Sequence, residues 1–240
     1  MLKIGCCGFP VAQSKYFQNF NTIEIQQSFY RTLGEKQVRN WRDNAHPDFE
    51  FVLKAPQCVT HFPNSSTYRR ADLPIEKREQ CGGFRLNAVT EEVMEVFFAR
   101  ADVLKAEKFL FQTPVSFKPT EENIKAMLLF FKHFQNRGVF IWEPRGKEWL
   151  PEIVKSICQQ AGLIHAVDPL LYGKPVWGDF SYFRLHGNLR TYQYSYSDTE
   201  LYRLLEMAGS VGYIMFNNSD MYNNALRLKE IGSKESFSVK

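Results

Sequence analysis

Eight short apolar runs alternate with amphipathic segments of helical length through the whole 240-residue chain. The runs are "KIGCCG", "TIEIQQS", "FEFVLKA", "KFLFQTP", "GVFIWEP", "LIHAVDP", "SYFRLHG" and "GYIMFNN". Between them lie "EKQVRNWRDNA", "TEEVMEVFFARADVLKAEK", "TEENIKAMLLFFKHFQNR", "LPEIVKSICQQAG" and "DTELYRLLEMAG", and "NNALRLKEI" follows the last. An eightfold strand–helix alternation buries parallel strands beneath helices, which predicts a single (β/α)8 TIM barrel over residues 1–240. Helices after strands 1 and 6 are expected to be short or irregular. Thr90 and Thr120, each ahead of paired glutamates, read as helix starts, and Gly138, Gly162 and Gly209 as stops. No internal repeat or Pro/Ser/Gly-rich linker divides the chain, so one domain is expected.

Side chains alternate faces along a strand, so each run separates a face toward the helices from a face toward the barrel interior. The apolar parity (Ile23/Ile25, Phe51/Leu53, Phe109/Phe111, Phe140/Trp142, Phe183/Leu185, Ile214/Phe216) belongs against the helices. The opposite parity carries Glu24 and Gln26, Val52 and Lys54, Leu110 and Gln112, and Ile141 and Glu143 with Arg145 beyond. It continues with Ala166 and Asp168, Tyr182, Arg184 and His186, and Met215 and Asn217. Seven runs thus end on a polar inner-face residue, at the end of a barrel where active sites form.

These residue types define a chemistry. Lys54, Arg145 and Arg184 are donors for phosphate or carboxylate, and Glu24, Glu143 and Asp168 can balance charge or accept protons. His186 is the natural proton carrier near neutral pH. Tyr192, Tyr194 and Tyr196, just beyond "YFRLHG", offer stacking faces for a sugar or base or pack against their own loop. Of the five histidines, only His61 and His186 are placed to reach the mouth. With cations beside the acids, no metal and no cofactor is expected, although one ion at Glu24, Asp168 and His186 stays open.

The remaining composition sets limits. A formal charge of +4 is compatible with an anionic ligand without requiring one. Cys6, Cys7, Cys58, Cys81 and Cys158 form no C-x-x-C pair and read as buried free thiols, with Cys6 and Cys7 on opposite faces. No apolar run approaches the ~18 residues of a membrane span, and "MLKIGCCGFP" lacks a signal peptide's apolar segment. A cytoplasmic location without membrane association is expected.

The strings "FNTIEIQQSFYRTL", "FVLKAPQCVTH", "FLFQTPVSF", "WEPRGKEW", "YFRLHG", "YSYSDTEL" and "YIMFNNSDMYNNALRLKEI" resemble, in order, those of the YecE-like proteins, the domain-of-unknown-function family 72. The resemblance implies a TIM barrel with a polar pocket at its C-terminal mouth, distantly similar in fold to apurinic endonucleases and xylose isomerases. Its pattern falls on Glu24, Tyr30, Lys54, His61, Gln112, Glu143, Arg145, Trp149, Asp168, Arg184, His186, Asn217, Asn218 and Asn224. The chain departs from it at "CCGF", where Thr-Ser-Gly-Trp is usual, and at Gly146, where a histidine often stands.

Three functional classes follow. One is an enzyme acting on a phosphate-bearing substrate, nucleic acid or sugar phosphate, with Glu24, Glu143, Asp168 and His186 as acid/base residues. Tyr30, Lys54, His61, Gln112, Arg145, Trp149, Arg184, Tyr194, Asn217 and Asn218 would then bind the substrate. The others are a metal-independent sugar isomerase or epimerase and a non-catalytic nucleic-acid-binding module. Opposed acids and bases favour an enzyme.

Overall fold

Each apolar run becomes a parallel strand. The structure, a computed structural model, describes residues 1–238. The strands are β1 (Leu2–Cys6), β2 (Thr22–Ile25), β3 (Glu50–Lys54), β4 (Lys108–Gln112), β5 (Val139–Glu143), β6 (Ile164–Val167), β7 (Ser181–Leu185) and β8 (Gly212–Phe216). They neighbour one another in the order β1-β8-β7-β6-β5-β4-β3-β2, every pair parallel. The chain is therefore a (β/α)8 TIM barrel. It closes between β1 and β2 through the parallel bridge Cys7–Glu24 and the Gly8 amide donating to the Glu24 carbonyl at 2.8 Å. Gly5 permits that approach, because a Cβ there would lie 2.6 Å from the Thr22 carbonyl oxygen.

Parity sorts the two cores. Val52, Leu110, Ile141, Ile164, Ala166, Tyr182, Tyr213 and Met215 pack together inside the barrel with Cys7, while Cys6 joins the outer core between strands and helices. Below that apolar layer Glu50 binds Lys3 at 2.6 Å, Lys108 at 3.3 Å and the Tyr213 hydroxyl. The outer core forms because helices present periodic apolar stripes. Helix Glu121–Phe134 buries Met127, Phe130, Phe131 and Phe134, an i, i+3, i+4, i+7 set.

Helix ends follow their caps with one correction. Thr120 accepts from the Asn123 amide and starts its helix, but the next helix upstream begins earlier, at Asn87, with Thr90 as its partner in a capping box. Gly162 ends helix Pro151–Ala161 in the left-handed conformation. The connections after β1 and β6 carry only the short helices Gln13–Asn19 and Pro169–Tyr172. "TIEIQQS" turns into a helix at Gln27 rather than running on as strand. Among the described residues, no helix is long and apolar enough to cross a membrane.

Candidate active site at the barrel mouth

The polar strand ends converge. Arg184, fully buried on β7, lies between two carboxylates. Its Nε donates to Glu24 Oε2 at 3.0 Å and its Nη2 to Glu24 Oε1 at 2.8 Å, while Nη1 donates to Glu143 Oε2. Glu24 also accepts from the Tyr182 hydroxyl at 2.8 Å and from the Gln26 amide. Glu143 reaches outward to Arg145 Nη2 at 2.8 Å. Burial opposes the charged form of every member, yet the opposite charges outweigh it. Arg145 and Arg184 hold the Glu143 carboxyl at about 2, and Arg184 holds Glu24 below its ordinary range.

His186 continues the chain of contacts. Arg145 Nη2 lies 2.6 Å from its Nε2, and a guanidinium can only donate, so the imidazole proton sits on Nδ1. That nitrogen is buried without a hydrogen-bond partner among the described residues, 3.6 Å from Asp168 Oδ2. Burial lowers the His186 pKa against the pull of Glu143 and Asp168, so the ring is neutral at pH 7. Asp168 is held in place by the amides of His186 (2.9 Å) and Leu170 (3.2 Å).

Lys54 differs from the arginines. Its ammonium donates to Gln112 Oε1 at 2.8 Å and lies 4.1 Å from the centroid of the Phe29 ring, with no carboxylate of the described residues within ion-pair distance. Burial and the neighbouring Arg184 charge push it down to about 7, against Glu24 and Glu143. His61 packs edge-on against the same ring, its Nδ1 2.8 Å from the Thr60 hydroxyl, and burial takes it to about 3.

The tyrosine loop is fixed to the loop after β8. Asn218 Nδ2 donates to the Tyr194 carbonyl at 2.6 Å and to Asn224 Oδ1 at 2.8 Å, and the Ser219 amide donates to the Tyr192 carbonyl at 2.7 Å. Tyr192, at φ +58°, lies beside the His186 ring with centroids 6.0 Å apart, and Tyr194 and Tyr196 pack on each other. Gly187 makes this possible. It has φ +60°, and a Cβ there would sit 2.3 Å from Tyr194 Cβ. Gly187→Ala is therefore expected to destabilise by more than the roughly 1–2 kcal/mol of a left-handed alanine. Denaturant titration checks this, and adding Tyr194→Ala should recover part of the loss.

Not every expected residue joins this network. Trp149 donates its indole N–H to the Phe117 carbonyl at 3.0 Å and packs edge-on against Trp142, on the outer side of β5. Tyr30 lines a separate cavity beside the mouth. Asn217 follows β8 at the mouth, its amide donating to the Leu185 carbonyl. Tyr182 and Gln26, which were not among the expected site residues, also join the network from the inner face to which parity assigns them. Phe29 gave no such signal, because it enters from a helical turn after the strand. Among the described residues, no group of three or more His, Cys, Asp or Glu side chains comes together as a metal site.

Fold and mouth together define a TIM-barrel protein with a buried charge network at the C-terminal ends of its strands. The chain belongs to the family described as "Protein of unknown function DUF72", whose model matches residues 13–236. It is similar to a DUF72 family protein from Enterococcus faecalis V583 (18% identity, TM-score 0.74, covering 96% of this chain and 95% of that one). It is also similar to one from Thermotoga maritima MSB8 (22%, 0.70, 97% and 99%) and to SacUVDE (9%, 0.62, 98% and 98%). These likenesses carry the fold alone. No curated protein matches the chain.

Proposed function

We propose that the protein is an enzyme that moves a proton on a small, anionic, sugar-like substrate, without using a metal. The observation that carries this reading is the contrast between Lys54 and the other charges of the mouth. Arg184 and Arg145 together balance Glu24 and Glu143, whereas Lys54 has no carboxylate partner among the described residues and changes protonation near pH 7. A base with its pKa close to the operating pH is the most effective proton acceptor. Lys54 takes the proton in its neutral form, and Gln112 aims the amine through their hydrogen bond. Glu143, ionised throughout the physiological range, holds Arg145 and, through it, the neutral His186.

The anionic group of the substrate is assigned to Arg145. Its Nε is buried without a partner among the described residues, and its side chain is 17% exposed where that of Arg184 is fully enclosed. A phosphate or carboxylate satisfies this donor. A small molecule fits better than nucleic acid because Glu24, Lys54, Glu143, Asp168, Arg184 and His186 are all at most 7% exposed, too deep for a polymer strand. The phosphate-bearing sugar is therefore favoured over the nucleic-acid reading.

Binding of phosphorylated sugars at increasing salt tests the assignment. Arg145→Ala is expected to weaken binding by about 1.5–3 kcal/mol and flatten the salt dependence. Unchanged affinity in that variant removes Arg145 from the site.

A further inference from the structure

Beside the mouth, between the loops after β2 and β3 and helix Ala88–Leu104, lies a cavity of about 60 Å³. Its walls are largely apolar and include Phe29, Leu33, Leu73 and Phe97. Among the polar residues of the wall, Gln57 stands apart. Gln57 is only 3% exposed, and neither its side-chain oxygen nor its nitrogen has a hydrogen-bond partner among the described residues. A buried primary amide left with both its donor and its acceptor unsatisfied is costly, and such groups in folded proteins are normally paired. Its polar neighbours in the wall bond to other groups. Asp72 accepts from the Thr32 amide, the Tyr68 hydroxyl donates to the His61 carbonyl, and Arg100 Nε donates to the Leu33 carbonyl.

We propose that this cavity is a binding site, distinct from the barrel mouth, for a small planar ring bearing an amide or lactam edge, which pairs with the side chain of Gln57. The pairing is reciprocal: the Gln57 nitrogen donates to the ring carbonyl and the Gln57 oxygen accepts from the ring N–H. The apolar walls cover the faces of the ring. The volume exceeds the roughly 10–15 Å³ that a single water occupies on the same measure, and an apolar wall offers water few partners beyond the amide itself. An apolar pocket with one exactingly placed polar pair is the usual form of a small-ligand site. The complementary edge sets specificity, because a ring without it leaves the Gln57 amide unsatisfied. This inference does not depend on the proton-transfer reading of the mouth.

Calorimetric titration of the full chain with uracil, benzamide and toluene tests it. Uracil and benzamide are expected to bind saturably, with toluene at least tenfold weaker. Gln57→Leu, which removes the unsatisfied amide and should fold at least as well as the parent, is expected to weaken uracil at least tenfold and to tighten toluene. Gln57→Met gives the same comparison with a side chain of closer length. Arg145→Ala should leave uracil affinity unchanged, which separates this site from the mouth. If uracil and benzamide fail to bind up to their solubility limits, or if either Gln57 variant binds uracil as the parent does, the cavity holds only water and the proposal is wrong.

Discussion

Arg184→Met is expected to lose about 3–5 kcal/mol of folding stability, a large part of what a domain of this kind possesses. The arginine is fully buried, and its removal leaves Glu24 in the interior without its ion-pair partner and Glu143 with Arg145 alone. The strength of the effect comes from that loss of compensation rather than from the net worth of the ion pairs. Removing the whole triad should accordingly be far milder: Glu24→Leu and Glu143→Leu added to Arg184→Met should recover most of the loss, since an apolar replacement of a buried ionic cluster is often neutral. Equilibrium urea unfolding of the single and triple variants measures both. A loss under about 1 kcal/mol for Arg184→Met would show that the triad is not the keystone of the mouth.

The pH dependence of the parent follows from the same network. Glu143 is held at about 2 in the folded protein, below the ~4.3 of a free glutamate. Its stabilising contribution is present above the unfolded value and is lost as pH falls from about 4.3 through about 2. Stability should drop steeply over that acid window, and the drop should shrink in the triple variant.

Lys54→Met is expected to lower turnover roughly 10²–10⁴-fold while leaving the protein folded. In the parent, kcat/KM should rise with pH around a midpoint near 7, where the amine loses its proton. Stability should move in a linked way. Lys54 has its pKa lowered on folding, so the unfolded chain holds more protons between about 7 and about 10.4, and stability climbs as pH increases across that window. Lys54→Met should flatten this climb without lowering stability at pH 7, because the burial cost of an ammonium disappears with it. The variant thus separates a catalytic from a structural role. Full activity in folded Lys54→Met on a substrate that the parent turns over would remove Lys54 from the reaction.

The barrel and its inner face are legible in the order of residues alone. Two-residue alternation is a local property of the chain, so Val52, Leu110, Ile141, Ala166 and Met215 could be assigned to the interior, and Lys54, Gln112, Glu143 and Arg184 to its polar end, before any strand was paired. Tertiary structure alone decided which of these charges meet. Glu24 and Arg184 are 160 positions apart, and Glu143 and Arg184 are 41 apart; barrel closure and strand register bring them together. Alternation marks Arg184 and Lys54 as equals, yet one is enclosed by two carboxylates and the other by a phenyl ring and an amide, a difference of partners rather than of face. Residues in the connections lay beyond the pattern for the same reason. Trp149 turns outward onto Trp142, Phe29 turns in beneath Lys54, and Gln57 faces a cavity, because irregular loops carry no period from which a direction can be read.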